Sequence, residues 1–156
     1  MFPPRFIVAG RIGASYDISS KKRLLEVLGE LLATDDPGLS PETVFEHLLE
    51  RERLGSTGLG HGVALPHARM QGVSEAVGAF VQLREGIGFD AIDDQPVDLA
   101  FALLVPEAAN ETHLQLLSNL ASMFSDPQLR ESLRRASSAE QILRLLTERD
   151  EDSPHA

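Results

Sequence analysis

The chain is predicted to fold as one α/β domain in which helices flank a central mixed β-sheet. Apolar residues recur at helical spacing in the first third, short apolar segments rich in small and β-branched residues fill the middle, and helical patterns return at the end. A chain of 156 residues is most economically a single domain with a proper core. We expect a folded domain over residues 19–147, between an N-terminal segment of open role, residues 1–18, and a polar, frayed tail, residues 148–156.

The first third of the chain predicts one short strand and two amphipathic helices. Residues 2–16 mix proline, glycine and apolar residues, and we expect a strand near residues 6–9. Ser19 or Ser20 can cap a helix that runs to about residue 33, and Ser40 before Pro41 is typical of the start of a second helix, through about residue 52. The apolar faces comprise Leu24, Leu25, Val27, Leu28, Leu31 and Leu32, then Val44, Phe45, Leu48 and Leu49.

The middle of the chain predicts three main strands, at residues 63–65, 76–83 and 97–105. A separate short piece at residues 87–89 lies between them. Residues 97–105 are almost all apolar, as a central strand buried on both faces would be, and Pro106 ends this segment. The last third predicts three helices, which begin near residues 110–112, 126–127 and 138–141. Their expected buried residues are Leu114, Leu117, Leu120, Ala121 and Phe124, then Leu129 and Leu133, then Ile142, Leu143, Leu145 and Leu146.

The composition excludes several classes of protein. No run approaches the roughly 18 apolar residues that a membrane span needs, so we expect no membrane insertion. The N-terminus lacks the pattern of a secretory signal, which makes the cytoplasm the default location. Cysteine is absent, so disulfides, thiolate metal sites and cysteine nucleophiles are excluded together. The net charge is −10, and the sequence shows no cluster of basic residues of the kind that binds nucleic acid. A chain this acidic would suit a protein partner with a basic docking face.

The chain is organised around a glycine-rich stretch, residues 51–69. Its four glycines, at positions 55, 58, 60 and 62, permit positive φ and let several backbone N–H groups converge on one point. His67 follows Pro66 at the end of a predicted strand and is close to Arg69 in sequence. A nucleophile beside convergent donors and a cation suits an anion, particularly a phosphoryl group. The stretch has neither the lysine of a nucleotide P-loop nor the spacing of a dinucleotide fingerprint, and a tightly packed structural loop is the competing interpretation.

The five histidines differ in their prospects. His47 lies among charged residues of a predicted helix and His155 lies in the tail, so we expect both to be solvated. His67 at a strand end and His113 in the first turn of a helix could meet, because strand ends and helix starts converge on ligand crevices in α/β sheets. His61, His67 and His113 could instead bind zinc, but they lack helical pair spacing and a carboxylate partner, so we expect no metal. No serine-hydrolase elbow is present.

The stretch of residues 51–69 resembles the phosphorylation-site motif of mannitol/fructose-type enzyme IIA domains (PTS EIIA type 2) of the bacterial phosphotransferase system. The resemblance is closest to the nitrogen-regulatory, PtsN-like branch. Four further segments agree in the right order, at residues 20–26, 89–99, 101–106 and 112–114, and extend the resemblance over most of residues 20–146. It implies the mannitol/fructose-type enzyme IIA fold for residues 19–147.

The resemblance also implies a function. His67 would accept a phosphoryl group from the phosphohistidine of an HPr-like carrier and signal to regulatory partner proteins such as transporters or sensor kinases, without a cofactor. His113 would orient or hydrogen-bond the phosphoryl group, and Arg51 and Arg69 match the basic positions of the site. The positions of the phosphate-binding loop are matched by Ser56, Thr57 and Gly58. An imidazole that is largely neutral near pH 7 can act as the nucleophile, and arginines can stabilise the phosphoryl charge without a metal.

Two residues depart from the family pattern. His61 stands where asparagine is usual, and Ala68 stands where glycine is usual after the acceptor. Because alanine restricts φ, we expect an effect on the transfer rate or on the choice of partner. These departures leave open a binding module of the same fold that no longer transfers phosphate. A sugar-specific IIA component is a nearer candidate function, and a metal-dependent hydrolase is a candidate from a different class.

Overall fold

A computed structural model describes residues 2–108 and 111–151 of the chain. It confirms an α/β fold with a central mixed sheet. The strands are β1 (Ile12–Tyr16), β2 (Gly58–Gly60), β3 (Val63–Ala64), β4 (His67–Met70), β5 (Val77–Ile87) and β6 (Val97–Pro106). The helices are α1 (Lys21–Leu32), α2 (Pro41–Arg53), α3 (Glu111–Phe124), α4 (Pro127–Arg135) and α5 (Ala139–Glu151), and a 3-10 turn covers Ala9–Arg11.

The sheet is built around β6, as the run of apolar residues predicted. The strand order is β1-β5-β6-β3-β2, and β4 also pairs with β6. The β5–β6 and β2–β3 pairs are antiparallel, whereas β1 runs parallel to β5, and β3 and β4 run parallel to β6. Val63 of β3 pairs with Leu99 and His67 of β4 pairs with Leu103, so both short strands line one edge of β6. Pro66 lies in the break between them.

Two apolar cores cover the two faces of the sheet. One contains the buried faces of α1 and α2, and the other contains those of α3, α4 and α5. Phe101 of β6 is fully buried in the second core and lies 5.7 Å from Phe6, 6.3 Å from Phe80 and 6.0 Å from Phe124, measured between ring centroids. Burying residues on both faces of β6 gives the site a rigid support, because close-packed interiors resist deformation.

The capping residues of four helices confirm the helix starts expected from the sequence. Each accepts a hydrogen bond from a backbone N–H two or three residues later, which satisfies one of the otherwise unpaired donors of the first helical turn. These side chains are Ser20, Ser40, Asp126 and Ser138, with distances of 3.1, 3.4, 2.9 and 3.1 Å. The expected cap at Asn110 lies outside the described residues.

The strand expected near residues 6–9 is wrong, because the chain turns there. Phe6 N–H donates to the Pro3 carbonyl at 3.1 Å, and Arg5 has a φ of 60°, so the backbone cannot extend. The first strand is β1 instead. The turn is held by Arg11, whose guanidinium is 5% exposed, pairs with Asp35 at 2.5 Å and donates to the carbonyls of Arg5, Phe6 and Gly78. Residues 2–11 are therefore fastened against the sheet.

Other parts of the structure also differ from expectation. The separate piece expected at residues 87–89 is wrong, since β5 continues to Ile87, which pairs with Val97 beyond an irregularity in the register. The strands β2 and β4 were not predicted. Helix α5 continues to Glu151, so residues 148–151 extend the helix, and the remainder of the expected frayed tail lies outside the described residues. On α3, Leu114 is exposed and Leu117 is only partly buried, while Leu116 and Met123 are buried in the core.

Candidate active site

The backbone around His67 fixes the direction of its imidazole ring. Pro66 interrupts the edge of the sheet, and its carbonyl accepts a hydrogen bond from Leu103 N–H at 2.9 Å. His67 is the first residue of β4, and its Nδ1 lies 2.8 Å from the carbonyl oxygen of Leu65. A carbonyl can only accept, so Nδ1 carries the proton of the neutral ring and the lone pair resides on Nε2. The ring therefore has a defined nucleophilic nitrogen.

The surroundings keep His67 neutral. Burial lowers the pKa of His67 below the usual 6.5, because an imidazolium loses hydration in the protein. The bond to the Leu65 carbonyl opposes this shift, the nearby positive charge of Arg51 lowers the pKa further, and Glu52 acts in the opposite direction. The net shift is downward. At neutral pH the imidazole therefore has a free lone pair to attack an electrophile.

A cavity of 610 Å³ brings four of the expected site residues together. Its wall includes His67, His113, Arg51 and Arg69, which come from β4, α3 and α2. His67 and His113 thus line the same cavity, and a direct contact between them stays a prediction. His47, which was expected to be solvated, also lines the cavity; it is half-buried and has Nδ1 2.9 Å from the Thr43 carbonyl. The cavity combines a neutral nucleophile with cations in a chain of net charge −10.

The expected phosphate-binding loop lines a second, smaller cavity of 380 Å³. Ser56, Thr57 and Gly58 share its wall with Arg51 and His67. Arg51 also braces the loop, because its guanidinium donates to the Gly55 carbonyl at 2.9 Å. The loop, Arg51 and His67 are thus adjacent in the fold.

Several hydrogen-bond donors of this loop are engaged within the protein. Ser56 Oγ donates to the Phe89 carbonyl and accepts from Gly58 N–H, both at 3.1 Å. Thr57 donates from its backbone N–H and from its hydroxyl to the carboxylate of Glu52, at 3.1 and 2.6 Å. The loop is therefore held in shape by its own contacts, and a contact between it and a phosphoryl group stays a prediction.

Glu52 is the site residue that the sequence interpretation missed. Its side chain is 3% exposed, accepts the bonds from Thr57 and pairs with Lys21 at 2.8 Å. In the sequence it lies between Arg51 and Arg53 and looks like part of a solvated charged face. A signal was nevertheless present, because Val44, Leu48 and Glu52 follow one another at intervals of four and all are buried in α2.

The two departures from the family pattern fit the local backbone. His61 and Gly62 form the turn between β2 and β3, with φ of 56° and 81°. Two-residue hairpins favour positive φ at both central positions, and histidine enters this region more readily than most residues, as asparagine does. Ala68 lies buried inside β4 and is not among the residues with positive φ. Neither substitution requires a strained β4 around His67.

The described residues contain neither a metal-binding cluster nor a membrane-spanning helix. Within residues 2–108 and 111–151, no group of three or more His, Asp or Glu side chains is arranged to hold a metal ion, and this includes His61, His67 and His113. No helix in the same part of the chain is long and apolar enough to cross a membrane.

The family model, the similar sequences and the similar structures all indicate the same protein family. Residues 5–149 match the model of the family described as phosphoenolpyruvate-dependent sugar phosphotransferase system, EIIA 2. A nitrogen regulatory protein of Pseudomonas aeruginosa is 42% identical over 144 residues, 92% of this chain and 94% of the relative. The crystal structure of nitrogen regulatory protein IIA-Ntr from Neisseria meningitidis is 50% identical and superimposes with a TM-score of 0.85 over 90% of this chain and 96% of that one.

A more distant structural neighbour shares the fold. It is the mannitol enzyme IIA of Escherichia coli in complex with phosphorylated enzyme IIB, which is 24% identical with a TM-score of 0.75 over 91% of this chain and 97% of that chain. At that identity the likeness shows the fold alone.

Proposed function

We propose that this chain, which belongs to the EIIA 2 family of the phosphoenolpyruvate-dependent sugar phosphotransferase system, is a cytoplasmic phosphoryl carrier and regulator that accepts phosphate on His67. The observation that carries the proposal is the hydrogen bond between Nδ1 of His67 and the Leu65 carbonyl. It leaves Nε2 as a neutral nucleophile in a cavity lined by three arginines, Arg51, Arg53 and Arg69. The naming of close relatives as nitrogen regulatory proteins supports the regulatory branch over a sugar-specific component.

The proposed reaction is a phosphoryl transfer between two imidazoles. The Nε2 lone pair of His67 attacks the phosphorus atom of a phosphohistidine on an HPr-like carrier, and a new N–P bond forms. The N–P bond of the donor breaks, and its electron pair returns to the donor imidazole. His67 loses no proton in this step, since Nδ1 keeps its proton in the bond to Leu65. The ring then carries a positive charge, which makes it a good leaving group for onward transfer.

The charge on the transferred group would be stabilised by residues of the same cavity. Phosphoryl transfer needs mainly positioning and electrostatic stabilisation, because charge spreads over the equatorial oxygens. Arg51 and Arg69 would supply positive charge from the wall of the cavity, which Arg53 also lines. His113 lies on the α3 side, from which it would orient the phosphoryl group. The phosphoryl group would also lie against the phosphate-binding loop, which lines the smaller cavity with Ser56, Thr57 and Gly58.

The donor and the output would both be proteins. Leu54 and Leu114 line the cavity and are 86% and 59% exposed, so a docking protein would find apolar contacts beside the acceptor. The acidic chain as a whole would favour a carrier with a basic docking face. We propose an HPr-like carrier of the nitrogen branch as donor and regulatory proteins as receivers of the phosphorylation signal.

Intact-mass measurement tests the proposal. The protein would be incubated with phosphoenolpyruvate, enzyme I and the HPr-like carrier, with a known IIA protein labelled in parallel. We expect an acid-labile gain of about 80 Da, the mass of one added phosphoryl group, in the wild type. His67→Ala should abolish it. His61→Asn is the matched control, since it changes an exposed histidine of the same glycine-rich stretch, and it should keep the gain.

Two results would contradict this function. A wild type that gains no mass while the parallel IIA protein is labelled would favour a binding module of the same fold. A gain that persists in His67→Ala would place the phosphoryl group on another residue.

A further inference from the structure

A buried carboxylate lies one residue beyond the site arginine on α2. Glu52 has a side chain that is 3% exposed, and a carboxylate removed from water is tolerated only when it is paired. Lys21 of α1 lies 2.8 Å from one carboxylate oxygen, and Lys21 Nζ itself lies 4.6 Å from the centroid of the Phe89 ring. The negative charge of Glu52 is thus balanced by the ammonium group of Lys21.

Thr57 connects this carboxylate to the next strand. Its N–H lies 3.1 Å from both carboxylate oxygens of Glu52, and its hydroxyl lies 2.6 Å from one of them. The hydroxyl proton is therefore donated to Glu52, in a short, charge-assisted bond. On its other side, the Thr57 carbonyl accepts from Leu65 N–H at 3.0 Å. Thr57 is held from both sides.

Leu65 completes the connection to the acceptor. Its N–H binds Thr57, while its carbonyl accepts from Nδ1 of His67 at 2.8 Å. The position of this carbonyl decides whether Nδ1 keeps its proton. A continuous series of hydrogen bonds thus runs from Glu52 through Thr57 and Leu65 to His67, and an ion pair joins Lys21 to its first member.

We infer that Glu52 is a positioning residue for phosphoryl transfer, which, through Thr57 and Leu65, holds Nε2 of His67 in the nucleophilic form. In this series the hydroxyl of Thr57 joins the glycine-rich loop to Glu52 through its hydrogen bond. The inference rests on the proposed function for the transfer step, whereas its geometric part concerns the unphosphorylated protein alone. Displacing a reacting group by about 1 Å can slow a reaction by about 100-fold, so a support of this kind matters.

The test uses variants of both partners in the bond. Thr57→Val removes the hydroxyl at nearly constant volume, and Thr57→Ser restores it. Glu52→Gln removes the charge, with Glu46→Gln, an exposed glutamate of the same helix, as its control. Two quantities are measured: the tautomer of the His67 ring by ¹⁵N NMR in the unphosphorylated protein, with the resonance assigned through His67→Ala, and the single-turnover rate of phosphorylation by the HPr-like carrier.

We expect Thr57→Val and Glu52→Gln to increase the population of the tautomer protonated on Nε2 and to slow phosphorylation by about 10- to 100-fold. Thr57→Ser should recover both quantities relative to Thr57→Val. If Glu52→Gln does not fold, the Thr57 pair decides. Equal tautomer populations in the valine and serine variants would overturn the inference, even if the rates differ, because Thr57 would then act on the phosphoryl group directly. A shifted tautomer with an unchanged rate would overturn it as well.

The failure of the proposed function is recognised separately. A wild type that is not phosphorylated at all removes the carrier role, and the NMR comparison still decides whether Glu52 and Thr57 set the tautomer.

Discussion

Replacing Gly62 by alanine should destabilise the protein through one identifiable clash. Gly62 has a φ of 81°, where a side chain costs about 1–2 kcal/mol. A Cβ there would collide with the guanidinium of Arg134 and lie 2.8 Å from an oxygen of Asp98. Arg134 donates to the His61 carbonyl at 2.6 Å and to the two oxygens of Asp98 at 2.8 and 3.0 Å. The new methyl group must displace the guanidinium of Arg134 from these hydrogen bonds.

The lost contacts set the additional cost. The side chains of Arg134 and Asp98 are 36% and 26% exposed, so water screens the pair and its loss costs about 0.2–1 kcal/mol. Losing the hydrogen bond to the His61 carbonyl adds about 1 kcal/mol. We therefore expect Gly62→Ala to lower the free energy of unfolding by about 2–4 kcal/mol.

Gly72 offers a matched control for this experiment. It has a φ of 86°, but nothing lies within 4 Å of a Cβ placed there, so Gly72→Ala should cost only the backbone strain of about 1–2 kcal/mol. Urea unfolding followed by circular dichroism measures the difference, since the chain has no tryptophan to report by fluorescence. In an Arg134→Ala background the clash with the guanidinium is absent and only the contact with the Asp98 oxygen remains, so the extra cost of Gly62→Ala over Gly72→Ala should shrink. Equal costs for the two glycines in the wild-type background would refute the reasoning.

Three further predictions concern the acceptor, a buried amide and the hairpin turn. The pKa of His67 is lowered in the folded protein, so the neutral ring contributes to the free energy of unfolding above pH 6.5. This contribution is lost as the pH falls through the folded pKa. A midpoint at or above 6.5 in an NMR titration of the imidazole would contradict the prediction. Gln82 donates to the buried carbonyls of Leu133 and Ala136, so Gln82→Leu should cost about 2–6 kcal/mol in urea unfolding, and a cost under about 1 kcal/mol would show that these carbonyls find other partners. His61→Asn should change the free energy of unfolding by less than about 0.5 kcal/mol, whereas His61→Val should lower it by more than about 1 kcal/mol because a β-branched residue is strained at positive φ, and equal values would count against the turn geometry.

Local signals in the sequence were sufficient for most of the secondary structure. Capping residues such as Ser20 and Asp126 act on N–H groups two or three positions away, so the sequence contains both partners. The central strand β6 was predictable because eight of the nine residues from Val97 to Val105 are apolar. By contrast, β4 has only four residues, and an alternation that short does not stand out from a loop.

Long-range polar contacts could not be predicted in the same way. Arg11 and Gln82 look like surface residues in the sequence, since nothing nearby in the chain indicates that each will be buried against carbonyls from distant elements. The resemblance predicted that His67 and Arg51 belong to one site, and both line the same cavity, whereas the loop that lies between them was expected to offer converging N–H donors. Several of its donors hold its own shape, through Glu52 and Phe89, and this depends on contacts that form only in the folded chain.

The direct hydrogen-bond partner of Nδ1 of His67 is a main-chain oxygen and not a side chain. Every amino acid at position 65 would supply the same carbonyl, so the identity of that residue can drift without changing which nitrogen is nucleophilic. Sites in which an aspartate or a glutamine orients the ring lack mutational robustness of this kind. Exchanging the two nitrogens by protein engineering would therefore require a new backbone path between β3 and β4, since no single substitution at the hydrogen-bond partner could achieve it.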